Sequence, residues 1–173
     1  MSRRRALLLG PLAALCGLIL MVAVPQSAQA FSDTGKVTVA ANSSYCVKAD
    51  AHIDHLTPGL LSGDQASSGA TAYAADCATP VAVRARSRLD LQFWNEPGQV
   101  WITCLSTDWA YGTTGSDQWG PTGPGTLLSY GGPACGPGWY RTRAYAYVYL
   151  LNLVTGGYWY GGSTTGAYEW ADQ

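Results

Sequence analysis

Charged side chains are scarce in this sequence. Lysine, arginine, aspartate and glutamate together make up 12% of the 173 residues, which is about half the usual share. Beyond residue 30, seven lysines and arginines stand against eleven acidic residues. A net negative charge disfavours a nucleic-acid partner, because such partners usually require a strong basic field.

Long hydrophobic runs are missing beyond the first thirty residues. The longest near-apolar run, 145–154, is ten residues long and contains the polar Asn152. A membrane-spanning helix needs about 20 consecutive apolar residues. We therefore expect no membrane span after residue 30.

The motifs of common enzyme sites are absent as well. The sequence has no G-x-S-x-G element and no zinc-ligand spacing. The glycines of 112–138 alternate with prolines and do not lead into a helix, which disfavours a phosphate-binding loop. The two histidines, His52 and His55, lie near Asp50 and Asp54, but ligands two apart on one strand converge poorly. We predict no catalytic residue, no metal and no cofactor.

The first thirty residues have the features of a secretory signal peptide. A basic segment, 3–5, precedes an apolar stretch, 6–24, and 28–30 has the small-x-small pattern that signal peptidase recognises. The alternative is an uncleaved anchor, but Gly10 and Pro11 interrupt the apolar stretch. We predict cleavage after Ala30 and a single secreted, extracellular domain over 31–173.

Four cysteines remain in this domain, and their spacing repeats. Cys46 and Cys77 are 31 positions apart, as are Cys104 and Cys135, and the second pair follows the first by 58 positions. This spacing favours the disulfides Cys46–Cys77 and Cys104–Cys135 over the two other pairings, in an oxidising compartment. An Arg-x-Arg motif follows each pair, at 84–86 and 141–143. The common offset also allows two similar halves.

Alternation of apolar and polar residues predicts a chain made of strands. The predicted strands cover 36–40, 45–53, 81–94, 99–105, 139–150, 158–160 and 167–170. Cys46 lies on the polar side of its strand and Ser87 on the apolar side, against the pattern in both cases. Residues 95–98 are expected to form a type II turn with Pro97 and Gly98 at its centre. The predicted fold is an all-β antiparallel sandwich or small barrel, stapled by disulfides.

Two segments lack a clear strand pattern. Residues 64–75 are rich in alanine, serine and glycine, and the sequence allows a short helix there. Residues 111–138 carry nine glycines and four prolines, so we expect a long loop of the kind that is often functional.

A row of aromatic and basic side chains is the best candidate site. Alternate residues of a strand point to one side, so the tyrosines of 145–149 form a row with a step of about 6–7 Å. Tyrosine rings can stack on sugars, and the preceding arginines can hold carboxylate or phosphate groups. The alternative is that a second sheet or the long loop covers this face. The predicted ligand-binding residues are Trp139, Arg141, Arg143, Tyr145, Tyr147 and Tyr149, with Trp119 in the loop.

A second basic row comprises Arg84, Arg86 and Arg88. Direct pairing of this row with the arginines of 141–143 would be repulsive, so we expect the two strands to be apart or carboxylates to intervene. The row suits a solvated face that prevents aggregation. It equally suits an anion-binding patch for uronic acids, phosphate-rich wall polymers or an acidic protein.

Together these patterns favour a secreted, non-catalytic binding protein. Its expected partner is a carbohydrate, such as a polysaccharide or cell-envelope polymer, or an extracellular protein that it inhibits through loop residues such as Trp119 and Tyr130. One alternative is a small secreted hydrolase that uses Asp108, Asp117 or a histidine. Another is a surface or matrix component that associates with itself.

Overall fold

A computed structural model describes residues 31–33, 35–54, 64–118, 120–130 and 134–171. The predicted signal peptide, Trp119 and His55 lie outside these ranges. Within them the chain forms twelve strands and no helix. The strands are β1 Phe31–Asp33, β2 Val37–Ala41, β3 Tyr45–Asp54, β4 Asp64–Ala74, β5 Arg84–Asn95, β6 Val100–Ser106, β7 Ala110–Thr113, β8 Gly115–Asp117, β9 Gly120–Thr122, β10 Gly125–Tyr130, β11 Gly138–Asn152 and β12 Gly156–Ala171.

The strands form two five-stranded sheets. In the first sheet the order is β1-β3-β4-β10, and β2 also pairs with β3. In the second the order is β12-β11-β5-β6, and β7 also pairs with β5. All these pairings are antiparallel, which confirms the predicted all-β antiparallel fold. A small hairpin of β8 and β9 stands apart from both sheets.

The inner layer between the sheets is built mostly of alanine. Its main cluster comprises Val47, Ala49, Ala51, Ala70, Ala72, Ala85, Ala144, Ala146, Val148 and Leu150. A second cluster brings larger residues, including Leu89, Leu91 and Tyr140, toward the other end. Among the aromatic side chains that the structure describes, Tyr140 alone is fully buried. Tyr45, Phe93 and Tyr160 pack against the two clusters, and most of the other aromatic residues lie on the outer face of the second sheet.

The serine that breaks the apolar pattern of β5 has a partner in the opposite sheet. Ser87 is fully buried, and its hydroxyl lies 2.9 Å from that of Ser68 on β4. The Ser68 hydroxyl is in turn 2.8 Å from that of Thr126 on β10. This chain of hydroxyl groups satisfies polar atoms that would otherwise be costly to bury.

Residues 64–74 form strand β4, so the helix considered for 64–75 is wrong. β4 lies between β3 and β10 in the first sheet, and its inward residues Ala66, Ala70 and Ala72 are buried. The period-two pattern is present, but small residues occupy both faces and hide it. The predicted loop over 111–138 is also wrong in part, because β7 to β10 lie within it and β10 completes the first sheet.

β12 joins the two short strands predicted near the C-terminal end into one strand of sixteen residues. The linking segment, 161–166, has no alternating pattern. Glycine is needed there because the strand runs close to the first sheet: a β-carbon on Gly162 would lie 2.6 Å from the carbonyl oxygen of Val39. Close backbone contact, not side-chain burial, holds this part of β12.

The β5–β6 hairpin is confirmed, but its turn is not type II. Asn95 pairs with Val100 and closes a four-residue loop. Gln99 has a positive φ of 53°, whereas a type II turn centred on Pro97 and Gly98 requires a positive φ at Gly98. Hairpin loops of four residues are most often built around a type I turn.

Both predicted disulfides are present. Cys46 lies in β3 and is fully buried. It pairs with Ala41 of β2 on one side and with Tyr73 of β4 on the other. The cysteine faces outward, as the sequence pattern indicates, and the bridge to Cys77 covers it. Cys46 therefore does not lie at a sheet edge, and the register shift in the β2–β3 pairing lies in β2, between Thr38 and Ala40.

The segment that carries Cys77 is held by a tight turn. Asp76 accepts hydrogen bonds from the backbone nitrogens of Ala78 (2.8 Å) and Thr79 (2.9 Å) and from the Thr79 hydroxyl (2.6 Å). These bonds lower the pKa of Asp76 to about 2. The bond from the Thr79 hydroxyl has the largest effect, and the backbone bonds from Thr79 and then Ala78 follow. The turn therefore keeps its charged acceptor across the usual pH range.

The second disulfide anchors the segment before β11. Cys104 lies in β6, and the backbone nitrogen of Cys135 donates a 2.8 Å hydrogen bond to the Tyr140 hydroxyl. The first cysteine of each pair and the Arg-x-Arg motif that follows the pair can be compared. Cys104 on β6 and Arg141–Arg143 on β11 lie in the same sheet, whereas Cys46 on β3 and Arg84–Arg86 on β5 lie in different sheets. Equal cysteine spacing is therefore not accompanied by an equivalent strand arrangement.

The two disulfides should differ in their sensitivity to reductant. Each disulfide joins cysteines that are 31 positions apart, so each should stabilise the fold by about 3–4 kcal/mol on the chain-entropy model. Cys135 is exposed, whereas Cys46 has no exposed surface. We expect a mild reductant without denaturant to open Cys104–Cys135 first, as measured by alkylation and peptide mapping. Earlier opening of Cys46–Cys77 would contradict this order.

Candidate binding face

The outer face of the second sheet places tyrosines of β11 opposite arginines of β5. Tyr145 pairs with Arg88, and Tyr147 pairs with Arg86. We name this surface the arginine–aromatic face. It comprises Arg84, Arg86, Arg88 and Trp94 of β5, Trp139, Arg141, Arg143, Tyr145, Tyr147 and Tyr149 of β11, Trp101 of β6, Trp109 of the β6–β7 connection, and Trp159, Tyr168 and Trp170 of β12.

The two arginine rows are thus carried by neighbouring strands, contrary to one expectation. The expected repulsion is avoided mainly by the register, because each guanidinium group of β5 meets an aromatic ring across the strands. One carboxylate also intervenes: Asp90 stands opposite Arg143. The alternation of arginine with tyrosine across the two strands was not predicted from the sequence.

Asp90 is the centre of a hydrogen-bond network on this face. The carboxylate accepts bonds from the Arg88 guanidinium (2.9 Å), the Ser106 hydroxyl (2.8 Å) and the Tyr145 hydroxyl (2.9 Å). Burial, followed by the bond to Asp90, raises the pKa of Tyr145. Tyr145 is therefore a fixed hydrogen-bond donor over the usual pH range.

Arg86 is held by three aromatic rings. Its guanidinium carbon lies 4.2 Å from the ring centroid of Trp109, 4.3 Å from that of Trp159 and 5.2 Å from that of Tyr147. These distances are within the range of cation–π interactions. In the part of the chain that the structure describes, the Arg86 side chain donates no hydrogen bond, and its Nε is buried without a partner.

Trp109 covers the middle of the tyrosine row. Its ring packs edge-on against Tyr145 and Tyr147, with centroids 6.2 and 5.7 Å apart. The tyrosines are consequently half-buried. The centre of the row is therefore partly covered by Trp109 of the β6–β7 connection, which belongs neither to a second sheet nor to the loop predicted over 111–138.

The other arginines of the face also stack on rings. Arg84 lies over Tyr149 at 5.6 Å, and Arg143 lies over Tyr145 at 5.1 Å. Arg141 lies 4.3 Å from the ring of Trp101 and donates a 2.9 Å bond to Gln92. Burial, and then repulsion from Arg143, lower the pKa of Arg141.

Four aromatic residues form an open cleft at one end of the face. Trp94, Trp101, Trp139 and Tyr168 line a volume of about 250 Å³ together with Glu96. Trp139 and Tyr168 meet edge to face at 5.3 Å, and they are 39% and 64% exposed. The cleft therefore offers ring surface to solvent beside one carboxylate.

The structure brings six of the seven predicted ligand-binding residues onto this face, from Trp139 to Tyr149 on β11. Trp119, the seventh, lies outside the described residues. The aromatic residues that the neighbouring strands add to the face were not predicted. The alternation of β5 places Trp94 in phase with Arg86, and this signal could have identified it. Tyr168 and Trp170 join the face only through the pairing of β12 with β11.

Other polar candidates lie on separate elements. His52 is on β3 of the first sheet, Asp108 is in the β6–β7 connection and Asp117 is on β8. Within the described ranges, no three histidine, cysteine or acidic side chains are grouped so that they could hold a metal ion. The same ranges contain no helix that could cross a membrane.

Tyr145→Phe should weaken the Asp90 network. It removes one hydrogen bond to a buried carboxylate, so we expect a loss of about 1–2 kcal/mol in the free energy of unfolding. Because the pKa of Tyr145 is raised on folding, this contribution is present below its ordinary pKa of about 10 and is lost as pH rises through the folded value. Denaturant unfolding at neutral and alkaline pH measures both effects.

Tyr147→Phe is the matched control for this prediction. The Tyr147 hydroxyl makes no hydrogen bond within the described part of the chain, so its removal should change stability by less than about 0.5 kcal/mol. Equal losses for the two variants would contradict the assigned role of Tyr145.

Comparisons of the whole chain with models of protein families, with curated proteins and with solved structures find no match.

Proposed function

We propose that this protein is a secreted, non-catalytic binding protein whose arginine–aromatic face recognises an anionic polysaccharide or cell-envelope polymer. The observation that carries the proposal is the collection of all five arginines beyond residue 30 on one face, interleaved with aromatic rings. The two disulfides are compatible with an extracellular location.

The charge distribution supports an anionic ligand. Beyond residue 30 acidic residues outnumber basic ones, eleven to seven, yet five of those seven basic residues lie on this face. Within the described chain, Arg88 alone among the five forms an ion pair, with Asp90. The face is therefore electropositive on a chain of net negative charge, and electrostatic attraction would direct anionic polymers to it.

The stacking of the guanidinium groups also suits anion binding. A guanidinium group lying on an aromatic ring uses its flat surface, while its N–H groups point outward in its plane and can still bind carboxylate or phosphate oxygens. The side chains of Arg84 and Arg86 make no hydrogen bond within the described residues, so their terminal donors are available to a ligand. The rings hold these groups in place and reduce the entropy lost on binding.

The aromatic cleft supplies a surface for a sugar ring. Indole and phenol rings pack against apolar sugar faces, and Glu96 can accept hydrogen bonds from sugar hydroxyls. The volume of the cleft, about 250 Å³, is below the range of about 300–1,000 Å³ for pockets that enclose a whole small molecule. The cleft therefore suits one sugar residue of a polymer that continues along the arginines.

Co-sedimentation with insoluble polymers tests the proposal. The protein should adsorb to cross-linked polygalacturonate and to bacterial cell-wall preparations, and salt should weaken this adsorption. Arg143→Ala combined with Tyr147→Ala should weaken it about tenfold or more, since charge-assisted hydrogen bonds contribute about 1.5–3 kcal/mol each. Trp139→Ala with Tyr168→Ala should also weaken adsorption, and this loss should depend less on salt than the loss caused by Arg143→Ala with Tyr147→Ala.

Lys36→Ala is the control, because it removes a cation away from this face and should leave adsorption unchanged. Thermal unfolding of each variant separates lost binding from lost folding. Unchanged adsorption of a folded Arg143→Ala, Tyr147→Ala variant, or no adsorption of the unaltered protein to any of these polymers, would contradict the proposal.

A further inference from the structure

The hairpin tip between β11 and β12 exposes three aliphatic side chains. Leu151, Leu153 and Val154 are 81%, 103% and 91% exposed. They lie in and beside the three-residue loop that joins Asn152 to Gly156. We name residues 151–155 the hairpin tip. Large aliphatic side chains grouped in this way on one projecting turn usually mark a contact surface.

The tip has an ordered turn geometry. The Asn152 side-chain oxygen accepts hydrogen bonds from the backbone nitrogens of Val154 (2.8 Å) and Thr155 (3.1 Å). Gly156 takes a positive φ of 81°, which glycine adopts without strain. The turn is therefore held in the conformation that points its aliphatic side chains away from the protein.

Amphipathic rings flank the tip. Tyr149 and Trp159 pair across the two strands with ring centroids 5.3 Å apart, and Tyr158 is 44% exposed. The Tyr149 hydroxyl lies over Gly157, where a β-carbon would collide with it, so this polar group is directed toward the tip. Tyrosine and tryptophan at the boundary of an apolar segment are typical of residues at a membrane–water interface.

Positive charge follows the rings. Arg84 and Arg86 stack on Trp159 at 6.0 and 4.3 Å, and no charged residue occurs between Arg143 and Glu169 in the sequence. The order from the tip inward is therefore aliphatic, aromatic, cationic. The same order is expected of a segment that meets acyl chains, then the interface, then anionic headgroups.

We propose that the hairpin tip inserts into the surface of an anionic lipid bilayer, with the neighbouring arginines on the lipid phosphates. A protein partner fits less well, because three side chains on one loop supply a small part of the roughly 800 Å² that a stable interface buries on each partner. A bilayer needs only a projecting apolar tip with suitable flanks. Arg84 and Arg86 are shared with the proposed polymer site, whereas the three aliphatic side chains of the hairpin tip are not, so substitutions in the tip test lipid binding separately from polymer binding.

Vesicle co-sedimentation of the chain over 31–173 tests the inference. This chain should bind vesicles of phosphatidylglycerol and phosphatidylcholine more strongly than vesicles of phosphatidylcholine alone. Replacing the three tip residues by serine (Leu151→Ser, Leu153→Ser, Val154→Ser) should weaken binding about tenfold or more, because membrane affinity scales with inserted apolar area. The exposed tip should tolerate these changes, and thermal unfolding checks that the fold is kept.

The control variant carries Val100→Ser and Leu127→Ser, which change exposed aliphatic residues away from the tip. It should bind vesicles as the unaltered protein does. No vesicle binding by the unaltered protein, or equal binding by the tip variant, would overturn the inference. So would light scattering that shows concentration-dependent association abolished in the tip variant without lipid, since a second copy would then be the occupant. Retained polymer adsorption by the tip variant separates this result from the proposed function.

Discussion

The register between β5 and β11 is the constraint on which the outer face of this protein depends. Each strand carries a row of arginines, and adjacent rows of like charge would repel. The observed pairing sets Arg86 against Tyr147 and Arg88 against Tyr145, so each guanidinium group meets a ring instead of another cation. A two-residue shift in one direction would set Arg88 opposite Arg143. A shift in the other direction would keep tyrosines opposite Arg86 and Arg88, but it would set Arg84 opposite Leu151 and move Asp90 away from Arg143. Side-chain chemistry therefore selects this alignment among those that the alternation permits.

The composition of the core explains why so many rings are available for that face. Seven of the ten residues in the main inner cluster are alanine, so the inner layer has little room for tryptophan or tyrosine. The rings collect outside, where they hold the arginines in fixed positions and leave a cleft at one end and an aliphatic tip at the other. One surface thus combines ordered cations with exposed aromatic area, which is the basis of both the polymer-binding and the lipid-binding proposals.

The sequence predicts the parts of this structure that depend on local pattern. β3, β5 and β11 alternate over ten or more residues, and equal cysteine spacing identified both disulfides. β4 was missed because small residues fill both of its faces, and β12 because glycines let backbone approach backbone. The candidate face was predicted for one strand alone. Alternation shows which residues of a strand share a side, but not which residues of a neighbouring strand stand opposite, so Trp101, Trp109 and Tyr168 could not be placed.

A double-mutant cycle on Arg86 and Tyr147 tests the cross-strand pairing most directly. Arg86→Met keeps the apolar stem without the charge, and Tyr147→Leu removes the ring. The free energies of unfolding of the two single variants and the double variant should show a favourable coupling of about 0.5–2 kcal/mol, whereas Arg86 and the distant Trp101 should be additive. Additivity within about 0.3–0.5 kcal/mol for Arg86 and Tyr147 would contradict the interleaved arrangement.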